Sequence, residues 1–189
     1  ETRHARHDMR HHLSILNSFV KRKDWPDLEN YLSKMSKSIP SSELKLCENN
    51  AIDGVAGHYY HRYKDLEIPC VFKLELPKEL SVSEIDICLV LSNLLENALE
   101  ASMRTAPDKR RITVFARMHS DNVVLIKVEN FYNGVVKEKN GIFESSKHSG
   151  EGIGTQSVRR IAEKGGGYCR FTQKDGIFTA DVMLRGNSK

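Results

Sequence analysis

The stretch Leu91-Ser-Asn-Leu-Leu-Glu-Asn-Ala-Leu-Glu-Ala-Ser102 reads as the middle of a long helix from Ser83 to Met103. Leu91, Leu94, Leu95 and Ala98 cover its buried side, while Asn93 and Asn97 share another face at i, i+4, with Glu100 one turn further. Asn is a mediocre helix former, so two of them stacked on one face of an otherwise apolar helix carry a cost that Lys or Glu would have avoided. A neutral amide oxygen can complete the octahedral shell of a Mg²⁺ ion that keeps its waters and binds phosphate oxygens. The bland alternative is a polar face met by chance.

Working outward, the flanking sequence is α+β. A helix is expected near 47–63 and a strand near 69–76. Alternating strands follow at Ile112 to Met118 and Val123 to Glu129, with the polar turn His119-Ser120-Asp121-Asn122 between them. Phe131 to Gly154 is rich in Gly, Lys and Ser, has no periodicity and exceeds a routine connector, the profile of a functional lid. At its end Ser149-Gly-Glu-Gly-Ile-Gly-Thr155 runs directly into a helix from Thr155 to Lys164. Gly150, Gly152 and Gly154 leave the backbone free to approach phosphates, and exposed amides at a helix N-terminus favour anions. Lys147 and His148 add basic character just before them, although a Gly-x-Gly-x-Gly run can equally be a plain flexible loop. Gly165-Gly166-Gly167 ends this helix, and a hairpin closes the chain: Tyr168 to Gln173, the turn Lys174-Asp175-Gly176, then Ile177 to Leu184.

The N-terminal residues have a different rhythm. Met9, Leu13, Leu16 and Val20 recur at steps of four, three and four, and Leu28, Leu32, Met35 and Ile39 repeat the pattern until Pro40. Lys21 to Lys23 suit a helix C-terminus, and Asp24 with Pro26 suits a new start. The expected hairpin has a narrow apolar seam that it cannot bury alone; pairing two hairpins as a homodimer makes a four-helix bundle. The domains are therefore expected at 1–40 (hairpin), 41–46 (linker) and 47–189 (the main domain).

Four of the eight histidines, His4, His7, His11 and His12, fall in the first twelve residues. At about 100° per residue His7 lies about 200° from Met9, away from the apolar seam. A solvated imidazole, with a reference pKa of about 6.5, is mostly neutral at pH 7 and offers one lone pair for attack on phosphorus. Asp8 could take the proton from the other nitrogen, although helix neighbours do not face each other and it would have to reach around. Two other readings remain open: a solvated polar face, and a metal site, because His7 and His11 stand at i, i+4.

The chain has 189 residues, 39% of them hydrophobic and 29% charged, enough for one ordinary domain with a small appendage and against disorder. A net charge of +4 does not demand nucleic acid, and none is expected as a partner. Cys47, Cys70, Cys88 and Cys169 are too scattered for a zinc site or a disulfide framework and read as reduced cytosolic thiols. No apolar run reaches the ~18 residues of a membrane span. The chain opens without Met directly in helix-like sequence, as a fragment would.

The order of a helix bearing two Asn, then strands, then a Gly loop and helix resembles the GHKL ATPase fold of histidine kinases, gyrase-type topoisomerases and heat-shock chaperones. Leu91 to Ser102 looks like its N box and Gly150 to Gly154 its second glycine box, with the lid between. Arg6-His7-Asp8-Met9-Arg10-His11-His12 is similar to the histidine box of peptide-sensing quorum kinases of the accessory-gene-regulator type, in which His-Asp replaces the commoner His-Glu. The resemblance implies a GHKL-type α/β sandwich after a dimerising hairpin, with ATP and Mg²⁺ as cofactors. His7 is then the phosphoacceptor and Asp8 its assistant. Asn97 would ligate Mg²⁺, Asn93 would sit beside the phosphates, and Lys147, His148, Gly150, Gly152 and Gly154 would line the ATP site. The ATP-hydrolysing relatives carry a water-activating Glu at the position of Asn93, so an amide there favours transfer to a residue over hydrolysis. Asn130 stands where an Asp usually meets the adenine amino group, and its oxygen can still accept that bond. The partner implied is the receiver domain of a response regulator, and a membrane enters only through a sensor region preceding this cytoplasmic portion.

The sequence departs from the family pattern in three ways. Val128-Glu-Asn-Phe-Tyr-Asn-Gly134 replaces Asp-x-Gly-x-Gly, Thr155 replaces a Leu, and no aromatic box precedes the lid. The eroded first glycine box supports one rival, a pseudokinase that holds nucleotide, or only a partner, without transfer; a serine kinase of the anti-sigma type is another, which would have no use for the hairpin. A metal-dependent dimerisation hairpin is a third.

Overall fold

The structure is a computed structural model that describes residues 2–35, 45–132, 138–139, 142–143 and 153–186. The chain divides into two compact units, Glu1–Ser41 and Ser42–Lys189.

In the first unit, helices α1 (Thr2–Arg22) and α2 (Trp25–Met35) form the hairpin. Lys23 takes a left-handed conformation at φ 56°, and the Lys23 and Asp24 amides donate to the Val20 and Phe19 carbonyls, closing α1. The Asp24 carboxylate then accepts from the Asp27 amide at 3.4 Å, at the start of α2. His12 Nδ1 and the Tyr31 hydroxyl lie 2.8 Å apart, and the Phe19 and Tyr31 rings are in tilted contact. Leu13 and Val20 on the expected seam remain 52% and 47% exposed, so the hairpin by itself leaves that seam unburied. Ile39 and Pro40 lie outside the described residues.

The second unit is a two-layer α/β sandwich. Its elements are α3 (Asn50–Asp65), β1 (Cys70–Glu75), α4 (Glu84–Met103), a 3-10 turn at Pro107–Lys109, β2 (Ile112–Ser120) and β3 (Val123–Phe131). After these come the two-residue strands β4 (Glu138–Lys139) and β5 (Ile142–Phe143), then α5 (Ile153–Lys164), β6 (Tyr168–Lys174) and β7 (Ile177–Arg185). Five strands make one mixed sheet in the order β1-β2-β3-β7-β6, parallel only between β1 and β2. The parallel pair requires a crossover, and α4 supplies it. Burial alternates along the strands: Ile112, Val114 and Ala116, then Val124, Ile126 and Val128, then Ala180, Val182 and Leu184 face the helices. They share one core with Ile52, Ala56 and Tyr63 of α3, Ile87, Leu91 and Leu95 of α4, and Val158 and Ala162 of α5. The opposite sheet face carries charge, as in the Lys127–Glu129 pair at 2.6 Å.

Several boundaries differ from expectation. Helix α3 begins at Asn50, not at Cys47: the Asn49 side chain accepts from the Ala51 and Ile52 amides, while the Asp53 carboxylate takes the Leu46 and Cys47 amides at 2.7 and 2.9 Å. Those bonds hold residues 46–49 in a non-helical approach. Strands β2 and β3 each run two residues longer than expected: Ser120 still pairs with Val123 past an irregularity between Met118 and Ser120, and β3 stays in register with β7 as far as Phe131↔Ile177. The β4–β5 ribbon was not foreseen. Helix α5 begins at Ile153, so Gly154 belongs to its first turn and not to the loop before it. At the far end of α5, Gly166 has φ +74°, and a side chain on Gly167 would run into the Met183 backbone. Asp175 and Gly176, at φ 52° and 76°, make the tight turn of the β6–β7 hairpin.

Candidate nucleotide site

Ser83 caps α4 by accepting from the Asp86 amide, and Glu84 and Asp86 complement its N-terminal dipole. Val90, Leu91, Leu94, Leu95, Ala98 and Leu99 are all buried, so the helix is apolar on much of its circumference. Its rotation is held from the α3 side. The Tyr63 hydroxyl donates to the Leu95 carbonyl at 2.8 Å, and the Glu96 carboxylate accepts from the Tyr59 hydroxyl at 3.0 Å and from Arg62 at 2.7 Å. Burial, the largest cause, then the nearby Glu96 charge push the Tyr59 hydroxyl up to about 12, and burial raises Tyr63 too. Both phenols therefore stay protonated donors at neutral pH. Reasoning from sequence alone assigned nothing to Tyr59, Arg62, Tyr63 or Glu96. Their one signal is a Tyr-x-x-Arg-Tyr spacing that aligns three polar tips on a helix face.

Asn93 and Asn97 are partly exposed on α4 and meet the start of α5. A β-carbon placed on Gly154 would lie 3.2 and 3.3 Å from the Asn97 amide nitrogen and oxygen and 3.5 Å from Asn93 Oδ1. Two carboxamides of one helix and the bare backbone of another thus converge on one point. Asn93 donates its amide to the Leu89 carbonyl at 2.8 Å, and among the described residues its Oδ1 takes no hydrogen bond and Asn97 makes none. That combination suits a Mg²⁺–phosphate group: neutral oxygen donors, a helix N-terminus for anions, and a cradle that any side chain at 154 would fill.

Asn130 lies at the end of β3 on the helix-facing side, only 4% exposed, opposite Ile112 of β2 and Phe178 of β7. Its Nδ2 donates to the Phe131 carbonyl at 3.0 Å. Nearby, the Thr105 hydroxyl reaches the Ala101 carbonyl at 2.9 Å and the Phe131 carbonyl at 3.4 Å. The buried Ser102 hydroxyl has no hydrogen-bond partner among the described residues.

His7 and Asp8 lie on α1, in the other unit, where the backbone alone is described. Lys147, His148, Gly150 and Gly152 lie outside the described residues. Among the described residues no group of three or more His, Cys, Asp or Glu side chains could hold a metal, and no helix is long and apolar enough to cross a membrane. Among the described residues no disulfide joins Cys47, Cys70, Cys88 or Cys169.

Residues 82–185, more than half of the chain, match the GHKL domain family. The chain belongs to that family. The GHKL match opens just before α4 and closes with β7, so it takes in Asn93, Asn97, Asn130 and Gly154 together. Solved structures with the GHKL fold of this chain include the nucleotide-free catalytic domain of the histidine kinase ThkA, at 19% identity and a TM-score of 0.56, covering 74% of this chain and 93% of that one. The histidine kinase AdeS of Acinetobacter baumannii, at 14% identity and 0.53, covers 96% of this chain and 98% of its own. The mycobacterial sensor histidine kinase MprB, at 17% and 0.50, covers 74% and 95%. At these identities the likeness is one of fold. No curated protein matches the sequence.

Proposed function

We propose that this GHKL domain binds Mg²⁺-ATP between α4 and the start of α5 and transfers the γ-phosphoryl group to His7 of the hairpin, as the catalytic part of a sensor histidine kinase. The observation that carries the proposal is the convergence of Asn93, Asn97 and Gly154. Asn97 would contribute an amide oxygen to Mg²⁺, whose chemistry is to neutralise charge on the phosphate oxygens. Asn93 holds no basic group, so it does not activate water, and the phosphoryl group is kept for a side-chain acceptor. Main-chain amides at the start of α5 would complete the cradle. Asn130 would accept from the adenine amino group. His7 would attack through one ring nitrogen while Asp8 receives the proton of the other.

The exposed Leu13 and Val20 support a homodimer through a four-helix bundle. The phosphohistidine would then serve an Asp in a response-regulator receiver domain, and the His-Asp box favours the peptide-sensing quorum type, placed at the cytoplasmic side of a membrane receptor. Incubation with γ-labelled ATP and Mg²⁺ tests the assignment. Acid-labile, alkali-stable label is expected on the wild type and not on His7→Gln. Equal labelling of the two would refute it.

A second reading, nucleotide binding without transfer, draws support from the missing Asp-x-Gly-x-Gly pattern at 128–134. Tight Mg²⁺-ATP binding with no label on any residue would favour it.

A further inference from the structure

Asn49 is 2% exposed, and its carboxamide is engaged at both ends. The oxygen accepts from the Ala51 and Ile52 amides at 3.1 Å each, capping α3, while the nitrogen donates to the Lys78 carbonyl at 2.9 Å and to the Glu84 carboxylate at 2.8 Å. Glu84 is the first residue of α4, so the cap of one helix grips the start of the next. Just upstream, Asp53 Oδ1 takes the Leu46 amide at 2.7 Å and the Cys47 amide at 2.9 Å, and the Cys47 thiol reaches the Leu76 carbonyl at 3.7 Å. The chain thus enters this unit along residues 46–49 tied to α3 and to the loop that leads into α4. A second grip lies further along α4, where Tyr63 holds the Leu95 carbonyl and Tyr59 and Arg62 hold Glu96.

Glu84 and Asn97 are about 20 Å apart along α4 at 1.5 Å per residue, and both grips on that length come from α3 and its cap. A helix held at two levels by one neighbour turns with it as a single body. A turn of about 10° would carry a side-chain tip about 6 Å from the axis through about 1 Å, enough to spoil a convergence of two carboxamides on one ligand.

We propose that residues 46–49, α3 and α4 form a mechanical linkage that couples the entry of the chain from the helical hairpin to the alignment of Asn93 and Asn97. The inference rests on the reading of that convergence as a nucleotide site. A twist arriving along the chain acts first on the Asp53 bonds and on Asn49, and then, through α3, on the rotation of α4. The coupling runs both ways, since a ligand that fixes the two carboxamides also fixes α4 and steadies the grips behind residues 46–49.

Hydrogen exchange on the wild-type chain, read at the Leu46 and Cys47 amides with and without saturating Mg²⁺-ATP, tests the linkage. Exchange there is expected to slow about 3- to 10-fold on binding, while the amides of the β2–β3 turn, Ser120 to Asn122, which belong to neither grip, stay unchanged. No slowing at Leu46 and Cys47 would overturn the linkage, and so would equal slowing at both places, the mark of global stabilisation by a ligand. In the reverse direction, Asp53→Asn keeps the shape of the side chain and removes its charge. That variant is expected to bind Mg²⁺-ATP about 3- to 10-fold more weakly at a temperature where thermal melting shows it folded. Wild-type affinity in it would also overturn the linkage. Calorimetry separates this idea from the site itself: binding without protection at Leu46 and Cys47 removes the linkage alone, and no binding of Mg²⁺-ATP removes both.

Discussion

Substituting Gly154 by Ala separates what α5 needs in order to fold from what the site needs in order to bind. Gly154 is the second residue of α5 and does not have a positive φ, so alanine can take its backbone conformation. Replacing glycine there restricts the unfolded chain and favours the helix, a gain of about 0.4–1 kcal/mol. The new methyl group would sit 3.2–3.5 Å from the ends of Asn97 and Asn93. Asn97 can swing aside at little cost to the fold. Doing so takes its oxygen out of the cradle and narrows the approach to the α5 amides. Loss of one ligand contact of this kind corresponds to about 1–3 kcal/mol, or roughly 5- to 150-fold in the dissociation constant for Mg²⁺-ATP. Stability and affinity should therefore move in opposite directions, with the urea midpoint unchanged or raised while titration calorimetry shows weaker binding. A variant that binds Mg²⁺-ATP like the wild type would refute the idea that the two carboxamides and the α5 backbone address one ligand.

Other predictions follow from the same contacts. Asn97→Ala should abolish the magnesium dependence of ATP binding yet change unfolding free energy by less than about 0.5 kcal/mol, because it breaks no hydrogen bond among the described residues; calorimetry with and without chelator, alongside urea unfolding, checks both halves. Glu96→Ala should cost about 1–3 kcal/mol in urea unfolding by stranding the Tyr59 hydroxyl and Arg62, the latter part-exposed and so contributing less. Stability should fall as pH rises above about 10: Tyr59 is held near 12 in the folded state, so the unfolded chain loses its proton first, at a slope of about 1.4 kcal/mol per pH unit. Tyr63, raised for the same reason, adds to this fall, and Tyr59→Phe should flatten it in unfolding curves taken from pH 8 to 11.5. Leu13→Lys with Val20→Lys should leave Mg²⁺-ATP affinity unaltered and convert a dimer to monomer in sedimentation velocity.

The elements legible in the sequence were those whose cause is local. Period-2 burial in β2, β3 and β7, the Asp175-Gly176 turn and the start of α4 beside Ser83 each depend on residues within a few positions, and each lies close to where the pattern placed it. What escaped depends on partners far along the chain. The start of α3 is decided by Asn49, which also donates to the Lys78 carbonyl and to Glu84, about thirty residues on. The far end of β3 is set by its pairing with β7. The α3 clamp on Leu95 and Glu96 joins residues more than thirty apart, invisible to periodicity. Asn93 and Asn97 were recognisable because polar amides on an apolar helix go against local preference, and such conflicts tend to mark function.

Helix α4 works on three fronts. One face packs its leucines on the sheet, a second is gripped by Tyr59, Arg62 and Tyr63 of α3, and a third offers Asn93 and Asn97 to the start of α5. The first two fix the helix in translation and in rotation, so on the proposed function the carboxamides would need little reordering to bind, and less of the binding free energy would be lost to entropy. It follows that substitutions sort by face. Those toward the sheet, such as Leu95→Ala, should lower stability by about 2–5 kcal/mol and affect binding only through unfolding. Those on the α5 side should touch affinity alone. Those toward α3 should do both, because a helix freed to rotate loses the alignment of two side chains four residues apart. Finding that Tyr63→Phe weakens Mg²⁺-ATP binding at temperatures where the domain stays fully folded would distinguish such a clamp from simple packing.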